Sequence, residues 1–170
     1  MKRLLFCIIL LLLSIINISC DSGNSHEGDN AANDYLAVRE IVDGDTFWVE
    51  NGLKKVEKIR LIGIDAPESR RTGRKEIGYF GKEAKQYVTE LLKGKRVKLE
   101  FDVGRYDRYH RTLAYVYLED GTFLNAELVK EGYAVILTVP PNVKYAKLFV
   151  KLQQEARKND RGLWNKNVDK

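Results

Sequence analysis

Apolar and polar residues alternate along five stretches of the chain, which is typical of β-strands with one buried face. These stretches are residues 36–42, 46–50, 56–64, 97–101 and 112–118. The dipeptides Asp43-Gly44 and Asn51-Gly52 separate the first three stretches and are strong turn signals. The pattern therefore predicts a three-stranded meander, followed later in the chain by two more strands.

Three other stretches carry apolar residues at helical spacing. The first covers residues 80–92 and ends before Gly94, and the second is a short helix over residues 124–129 that Gly132 closes. The apolar positions of the last helix are Tyr145, Leu148, Phe149, Leu152 and Ala156. We expect Trp164, which follows this helix, to pack back on the core.

Three strands, a helix, two strands and then helices is the element order of an OB-fold, a five-stranded barrel that often binds oligonucleotides. The sequence therefore predicts an α+β protein with a five-stranded β-barrel and three helices. Its 170 residues suffice for one such domain, which we place at residues 35–170.

The first 19 residues follow a different pattern, that of a secretory signal peptide. Lys2 and Arg3 precede the apolar residues 4–16, a stretch that falls short of the roughly 20 residues needed to span a membrane. Ser19 and Cys20 then resemble a bacterial lipobox, which implies cleavage before Cys20 and a lipid on its thiol. A secreted protein and an uncleaved anchor are the alternatives. In each case the protein is expected outside the cytoplasm.

Charge divides the rest of the chain into a linker and a basic domain. Residues 20–34 are rich in Ser, Gly, Asn and Asp, which predicts a flexible linker. The chain has 29 Lys and Arg and 24 Asp and Glu; without the two basic residues of the signal and the four acidic residues of the linker, residues 35–170 keep 27 and 20, a net charge of +7. A basic domain suits a polyanion such as nucleic acid or an anionic membrane, although many basic domains are merely soluble.

Five charged residues occupy positions that turn and strand requirements do not explain: Asp45, Arg60, Asp65, Glu68 and Arg111. Strict alternation would put Arg60 and Asp65 on opposite faces of the third strand, because they are five residues apart. We expect Pro67 to break this strand and to remove that restriction. Asp45 and Asp65 can then lie at the same end of the barrel.

Two carboxylates, a backbone carbonyl and water form a ligand set that suits Ca²⁺. Between Asp45 and Asp65 the ion would polarise a phosphate oxygen, while Glu68 deprotonates an attacking water. Arg60 and Arg111 would clamp the phosphodiester with their planar forks. Taken singly, each residue also fits an ordinary turn, loop or outward-facing strand position, so the hypothesis depends on the complete set.

That set resembles the staphylococcal nuclease (thermonuclease) family. The resemblance covers residues 38–164 and is most specific in the segment RLIGIDAPE, residues 60–68. The segments DGDT at 43–46, DRYHRTLAY at 107–115 and LNAELVKEG at 124–132 match as well, as does GLW at 162–164.

The resemblance implies an OB-fold barrel with three helices and Ca²⁺ bound by Asp45, Asp65 and the carbonyl of Ala66. It also implies Glu68 as the general base, with Arg60 and Arg111 holding the phosphate. The expected reaction is hydrolysis of DNA and RNA to 3′-phosphate products by a monomer. The main alternative is a non-catalytic OB-fold module that binds oligonucleotides, and a third hypothesis is a structural envelope lipoprotein.

Two departures from the family pattern bear on the site. His110 stands where glycine is usual, in a turn that requires positive φ. Thr138 and Pro140 lie in a stretch that provides tyrosines for the nucleotide in the best-known members. We expect Tyr109 and Tyr145 to replace part of that stacking, and nucleotide binding to suffer more than the chemical step.

Overall fold

Five strands close a barrel in the computed structural model, which describes residues 34–50, 52–71, 73 and 76–165. The strands of the barrel are β1 (Tyr35–Asp43), β2 (Thr46–Glu50), β3 (Val56–Leu61), β5 (Arg96–Glu100) and β6 (Thr112–Leu118). Their order around the barrel is β1-β2-β3-β6-β5. All neighbouring pairs are antiparallel except β3 and β6, whose parallel pairing closes the barrel. The prediction of an α+β OB-fold with five barrel strands is confirmed.

The predicted third strand differs in one respect, because it is two strands. Strand β3 ends at Leu61, and β4 (Gly63–Asp65) leaves the barrel and pairs with β7 (Val135–Leu137), a strand that the sequence pattern did not predict. The break lies at Gly63, whose φ of 80° is unfavourable for residues with a side chain. A Cβ atom there would lie 2.5 Å from the ring of Phe149. Strand β4 does end at Asp65, two residues before Pro67, but Gly63 and not Pro67 resets the alternation between Arg60 and Asp65.

The first hairpin also differs by one position from the prediction. Asp43 pairs with Thr46, so the turn residues are Gly44 and Asp45 rather than Asp43 and Gly44. Asp45 therefore lies in the turn itself, where its carboxylate does not have to follow the alternation of either strand.

Three helices cover the barrel: α1 (Gly81–Leu92), α2 (Leu124–Lys130) and α3 (Ala146–Lys158). Their buried faces pack on a core that includes Phe47, Ile59 and Tyr115. Burying each large apolar side chain contributes about 1.5–3 kcal/mol. Three helices are confirmed, but Leu148, which was expected in the buried face of α3, is 38% exposed.

Trp164 lies in a single 3₁₀ turn (Gly162–Trp164) after α3 and is partly buried, with the guanidinium of Arg157 4.2 Å from its ring centre. The signal peptide, Cys20 and all but the last residue of the linker lie outside the described residues. Within the described part of the chain, no helix has the length and apolar character required to cross a membrane.

Candidate active site

Arg60 brings the two predicted metal-binding carboxylates together. One terminal nitrogen of its guanidinium forms an ion pair with Asp45, and the other lies 2.6 Å from Oδ1 of Asp65. The Arg60 side chain is only 12% exposed, whereas that of Asp65 is 51% exposed. An arginine inside an apolar strand segment therefore faces one buried and one exposed carboxylate and is itself largely shielded from solvent.

The barrel fixes Asp45 through its neighbours. Its Oδ1 accepts a hydrogen bond of 2.8 Å from the hydroxyl of Thr46, and its Oδ2 accepts one of 2.8 Å from the N–H of Ala66. Thr46 also pairs with Arg60 across β2 and β3, and the carbonyl of Asp45 accepts from the N–H of Leu61. Asp45 is buried, so its orientation is set by the fold before any ligand binds.

Glu68 lies beside a further buried carboxyl group, that of Asp43. Oδ1 of Asp43 accepts hydrogen bonds from the N–H of Ser69 at 3.0 Å and of Gly44 at 3.2 Å. Burial raises the pKa of Asp43, and a hydrogen bond with Glu68 and the charge of Asp45 raise it further, against the lowering effect of Ser69. This contact places Glu68 beside the hairpin that carries Asp45.

The start of α1 packs directly against the backbone of Glu68. The N–H of Gly78 donates to the carbonyl of Glu68 at 2.9 Å. A Cβ atom at Gly81 would lie 2.1 Å from the same carbonyl oxygen, so only glycine allows this approach. The position of Glu68 therefore depends on a helix that is remote from the other acidic residues in sequence.

Arg111 is oriented by Asp107, four residues earlier. Oδ2 of Asp107 accepts from Nε of Arg111 at 2.6 Å, and Oδ1 accepts from the N–H groups of Tyr109 and Arg111. Burial raises the pKa of Asp107, but these hydrogen bonds and the charge of Arg111 lower it below its ordinary value overall. His110 has a φ of 59° in this turn, which confirms that histidine takes the positive-φ position.

Arg60 and Arg111 line one groove of about 560 Å³, here called the arginine groove. Two exposed tyrosines, Tyr106 and Tyr109, lie on its rim. The wall formed by residues 137–141 is aliphatic; the lining residues from it are Leu137, Val139, Pro140 and Pro141.

Buried Asn142 joins the two loops that form this groove. Its side chain donates to the carbonyl of Gly104 at 2.8 Å and accepts from the N–H of the same residue at 2.7 Å. Tyr145 is not part of the lining, because its hydroxyl bonds to Glu100 and to the hydroxyl of Tyr117. The expectation that Tyr145 contributes to nucleotide stacking was therefore wrong, whereas Tyr109 lies where a base could contact it.

The donor set for a cation consists of oxygen atoms. Asp45 and Asp65 contact the same guanidinium, so one small cation could reach both carboxylates, and the backbone of Ala66 lies beside Asp45. Hard oxygen donors of this kind fit Ca²⁺. Among the described residues, no group of three or more His, Cys, Asp or Glu side chains is arranged to hold a metal ion.

Three residues of the site were missed by reasoning from the sequence: Asp43, Asp107 and Tyr106. Asp43 was assigned to a turn, although its place two residues before Asp45 could have indicated a second carboxylate. The spacing of Asp107 and Arg111 was available as a signal for a local ion pair. Tyr106 lies in a polar loop, and nothing in its surroundings marked it.

An OB-fold barrel that presents two arginines in a groove, next to two aspartates and a glutamate, has the groups that a phosphodiester-hydrolysing class of protein requires. Comparison with known proteins agrees. Residues 58–166 match the family model described as staphylococcal nuclease homologue. The chain is 33% identical to the thermonuclease of Staphylococcus intermedius, over 98% of this chain and 100% of that protein.

Two further relatives extend this result. The thermonuclease of Staphylococcus hyicus is 34% identical over 97% of this chain and 99% of its own length. The SPbeta prophage-derived endonuclease YokF of Bacillus subtilis is 40% identical over 78% of this chain and 44% of its own length. The chain belongs to the staphylococcal nuclease family, and it is a nuclease, a hydrolase of phosphodiester bonds.

Proposed function

We propose that the protein is a calcium-dependent nuclease that acts outside the cytoplasm and hydrolyses DNA and RNA to 3′-phosphate products. The observation that carries this proposal is the double role of Arg60. Its guanidinium binds Asp45 and Asp65 and at the same time lines the groove that holds Arg111. A phosphate bound to both arginines would therefore lie next to the two carboxylates.

The carboxylates of Asp45 and Asp65, with the carbonyl of Ala66, are the proposed ligands of Ca²⁺. Bound there, the ion would supply Lewis-acid polarisation of a phosphate oxygen. Asp45 lies in the turn between β1 and β2, Asp65 ends β4, and Ala66 follows it. Pairing of β2 with β3 and of β4 with β7 holds these positions in place. Rigid backbone at the ligand positions suits a site that is formed before the substrate arrives.

The protein's own residues perform the remaining steps. Glu68 accepts a proton from the attacking water as the water oxygen bonds to phosphorus and the bond to the 5′-oxygen breaks, and the departing 5′-oxygen takes up a proton from solvent. Arg60 and Arg111 donate hydrogen bonds to the phosphate oxygens, whose negative charge grows in the five-coordinate transition state. An arginine has five N–H donors, so Arg60 can bind phosphate while it keeps its carboxylate contacts.

The groove supports action on both DNA and RNA. Its rim tyrosines and aliphatic wall offer flat or apolar surfaces, which any base can cover. The basic character of residues 35–170 adds attraction for phosphates that does not depend on sequence.

A calcium-dependence assay tests this function. The purified protein is incubated with plasmid DNA or with RNA in millimolar Ca²⁺, with and without excess EGTA. We expect degradation in calcium, none with EGTA, and 3′-phosphate ends on the products. Binding of DNA without cleavage would instead support a non-catalytic oligonucleotide-binding module, and intact nucleic acid without binding would contradict both.

We also propose that the protein is a monomer held at the membrane by a lipid on Cys20, following the lipobox-like residues before it. Labelled palmitate supplied to expressing cells should enter the protein. Cys20→Ser should abolish this incorporation and release the nuclease from the membrane fraction, while Cys7→Ser serves as the control for a second thiol. Incorporation that persists in Cys20→Ser would refute the anchor.

A further inference from the structure

A second groove of about 370 Å³ runs between the segment after Glu68 and the exposed face of α1. We call it the α1 groove. Its basic lining residues are Arg70, Lys82 and Lys85, and the acidic one is Glu90. Lys82 and Lys85 are three residues apart on the helix and therefore share a face.

The two lysines of the α1 groove have no carboxylate partner among the described residues. Neither Lys82 nor Lys85 forms a salt bridge within the part of the chain that the structure describes. Glu90, the acidic residue of the lining, accepts a hydrogen bond of 2.9 Å from the side chain of Gln86. The two ammonium groups of the helix therefore outnumber the carboxylate, which favours an anion in this groove.

A continuous set of contacts links the α1 groove to the arginine groove. Ser69 lines the α1 groove, and its N–H donates to Asp43. Asp43 and Asp45 flank Gly44 in the first hairpin, and Asp45 pairs with Arg60, which lines the arginine groove. The proposed catalytic cluster consists of Asp45, Arg60, Asp65, Glu68 and Arg111. Contacts of its members therefore reach two basic grooves that have no lining residue in common.

We propose that the α1 groove binds the phosphodiester backbone of a polynucleotide substrate on the side of the scissile bond away from the arginine groove. Lys82 and Lys85 act as phosphate contacts there. This inference rests on the proposed function and adds a prediction about substrate length. A strand of a dozen nucleotides gains contacts that a dinucleotide cannot reach, and these contacts weaken as salt rises.

Two substrates separate this inference from the proposed function. The full-length protein is assayed in calcium with a dinucleotide and with a single-stranded DNA 12-mer, and the ratio of the two kcat/KM values is the readout. Cleavage of the dinucleotide by the wild-type protein tests the catalytic site alone. If it fails together with cleavage of the 12-mer, the proposed function is at fault and not the groove.

The variant Lys82→Gln/Lys85→Gln then tests the groove. We expect the 12-mer/dinucleotide ratio to fall about 4- to 25-fold, at roughly two- to fivefold for each lost ammonium contact. The slope of log KM for the 12-mer against log salt concentration should fall by about 0.7 per lost phosphate contact. Glutamine has nearly the helix propensity of lysine, so α1 is preserved and its far-ultraviolet dichroism should not change.

The control is Lys147→Gln/Lys151→Gln, which removes the same charge from exposed positions of α3 that line neither groove. It should keep the wild-type ratio. An unchanged ratio in Lys82→Gln/Lys85→Gln would overturn the proposal. An equal fall in both double variants would do so too, because it would show an effect of net charge without a specific path.

Discussion

The proposed catalytic cluster and the wall of the arginine groove are built in opposite ways. Each charged group of the cluster has a defined partner: Asp45 has three, and Asp107 fixes Arg111 through both of its oxygens. The wall consists of aliphatic side chains that are largely exposed, such as Leu137 at 45% and Val139 at 59%. The cluster is thus preorganised by hydrogen bonds, whereas the wall offers a surface without directional contacts.

Because of this difference, we expect substitutions in the two regions to affect different kinetic constants, kcat and KM. Preorganised donors and acceptors act on the transition state and determine kcat, whereas a base that rests on aliphatic side chains gains little binding energy. We therefore expect substitutions in the cluster to lower kcat strongly. Substitutions in the wall should change KM and leave the chemical step nearly intact.

Glu68→Gln should give the largest effect. The amide keeps the shape of the side chain and can still hydrogen-bond to Asp43, but it cannot take a proton from water. We expect kcat on single-stranded DNA to fall about 10²- to 10⁴-fold, with little change in DNA affinity. Steady-state kinetics and a binding titration with EGTA present measure the two quantities.

Glu83→Gln, in the first turn of α1, is the control for this substitution and should leave kcat unchanged. A rate near that of the wild type in Glu68→Gln would mean that Glu68 is not the base. The proton would then have to go to another group of the cluster.

Residue types and spacing were sufficient to predict the barrel, because alternation and turn dipeptides are local signals. They also led to Asp45, Arg60, Asp65, Glu68 and Arg111 as the predicted site residues, and the structure places Asp45 and Asp65 on Arg60. What could not be predicted depends on long-range packing. At the break of the third strand, the ring of Phe149 in α3 leaves no room for a side chain on Gly63, and no local pattern contains that approach.

Several long-range contacts around the site could not be predicted from the sequence either. Tyr145 forms hydrogen bonds with Glu100 in β5 and with Tyr117 in β6. Only the folded barrel brings these residues close to Tyr145. The α1 groove likewise depends on how α1 packs against the backbone after Pro67. Local chemistry can therefore be read from the sequence, but the surfaces around it cannot.

Arg111→Lys is expected to have the second largest effect. A lysine has no planar fork, so it cannot bind Asp107 through Nε and a phosphate through the terminal nitrogens at once. Loss of one donor pair to a developing charge should lower kcat/KM about 10²-fold. Arg105→Lys, an exposed arginine of the same loop that lines neither groove, is the control. Wild-type activity in Arg111→Lys would refute the clamp.

Val139→Tyr tests the wall of the arginine groove by adding an aromatic ring, which the wall lacks. A tyrosine at this exposed position of the wall provides an aromatic face for a base, which is worth about 1–3 kcal/mol. We expect KM for a short single-stranded DNA to fall at least about fivefold, with kcat within about twofold of the wild type. Val143→Tyr, exposed but outside the groove lining, should leave KM unchanged. A change in kcat alone would show that wall and cluster are not independent.

His110→Gly should have the smallest effect and acts on stability. Histidine at a φ of 59° costs about 1–2 kcal/mol relative to an ordinary helical or extended conformation. Glycine avoids this cost but loses about 0.5–1 kcal/mol more in conformational entropy on folding. The net gain should be about 0–1.5 kcal/mol, and its midpoint corresponds to a rise in Tm of about 2 °C in thermal unfolding. Arg108→Gly, in the same turn at negative φ, should lower Tm instead. A lower Tm for His110→Gly would mean that the imidazole itself stabilises the loop that carries Arg111.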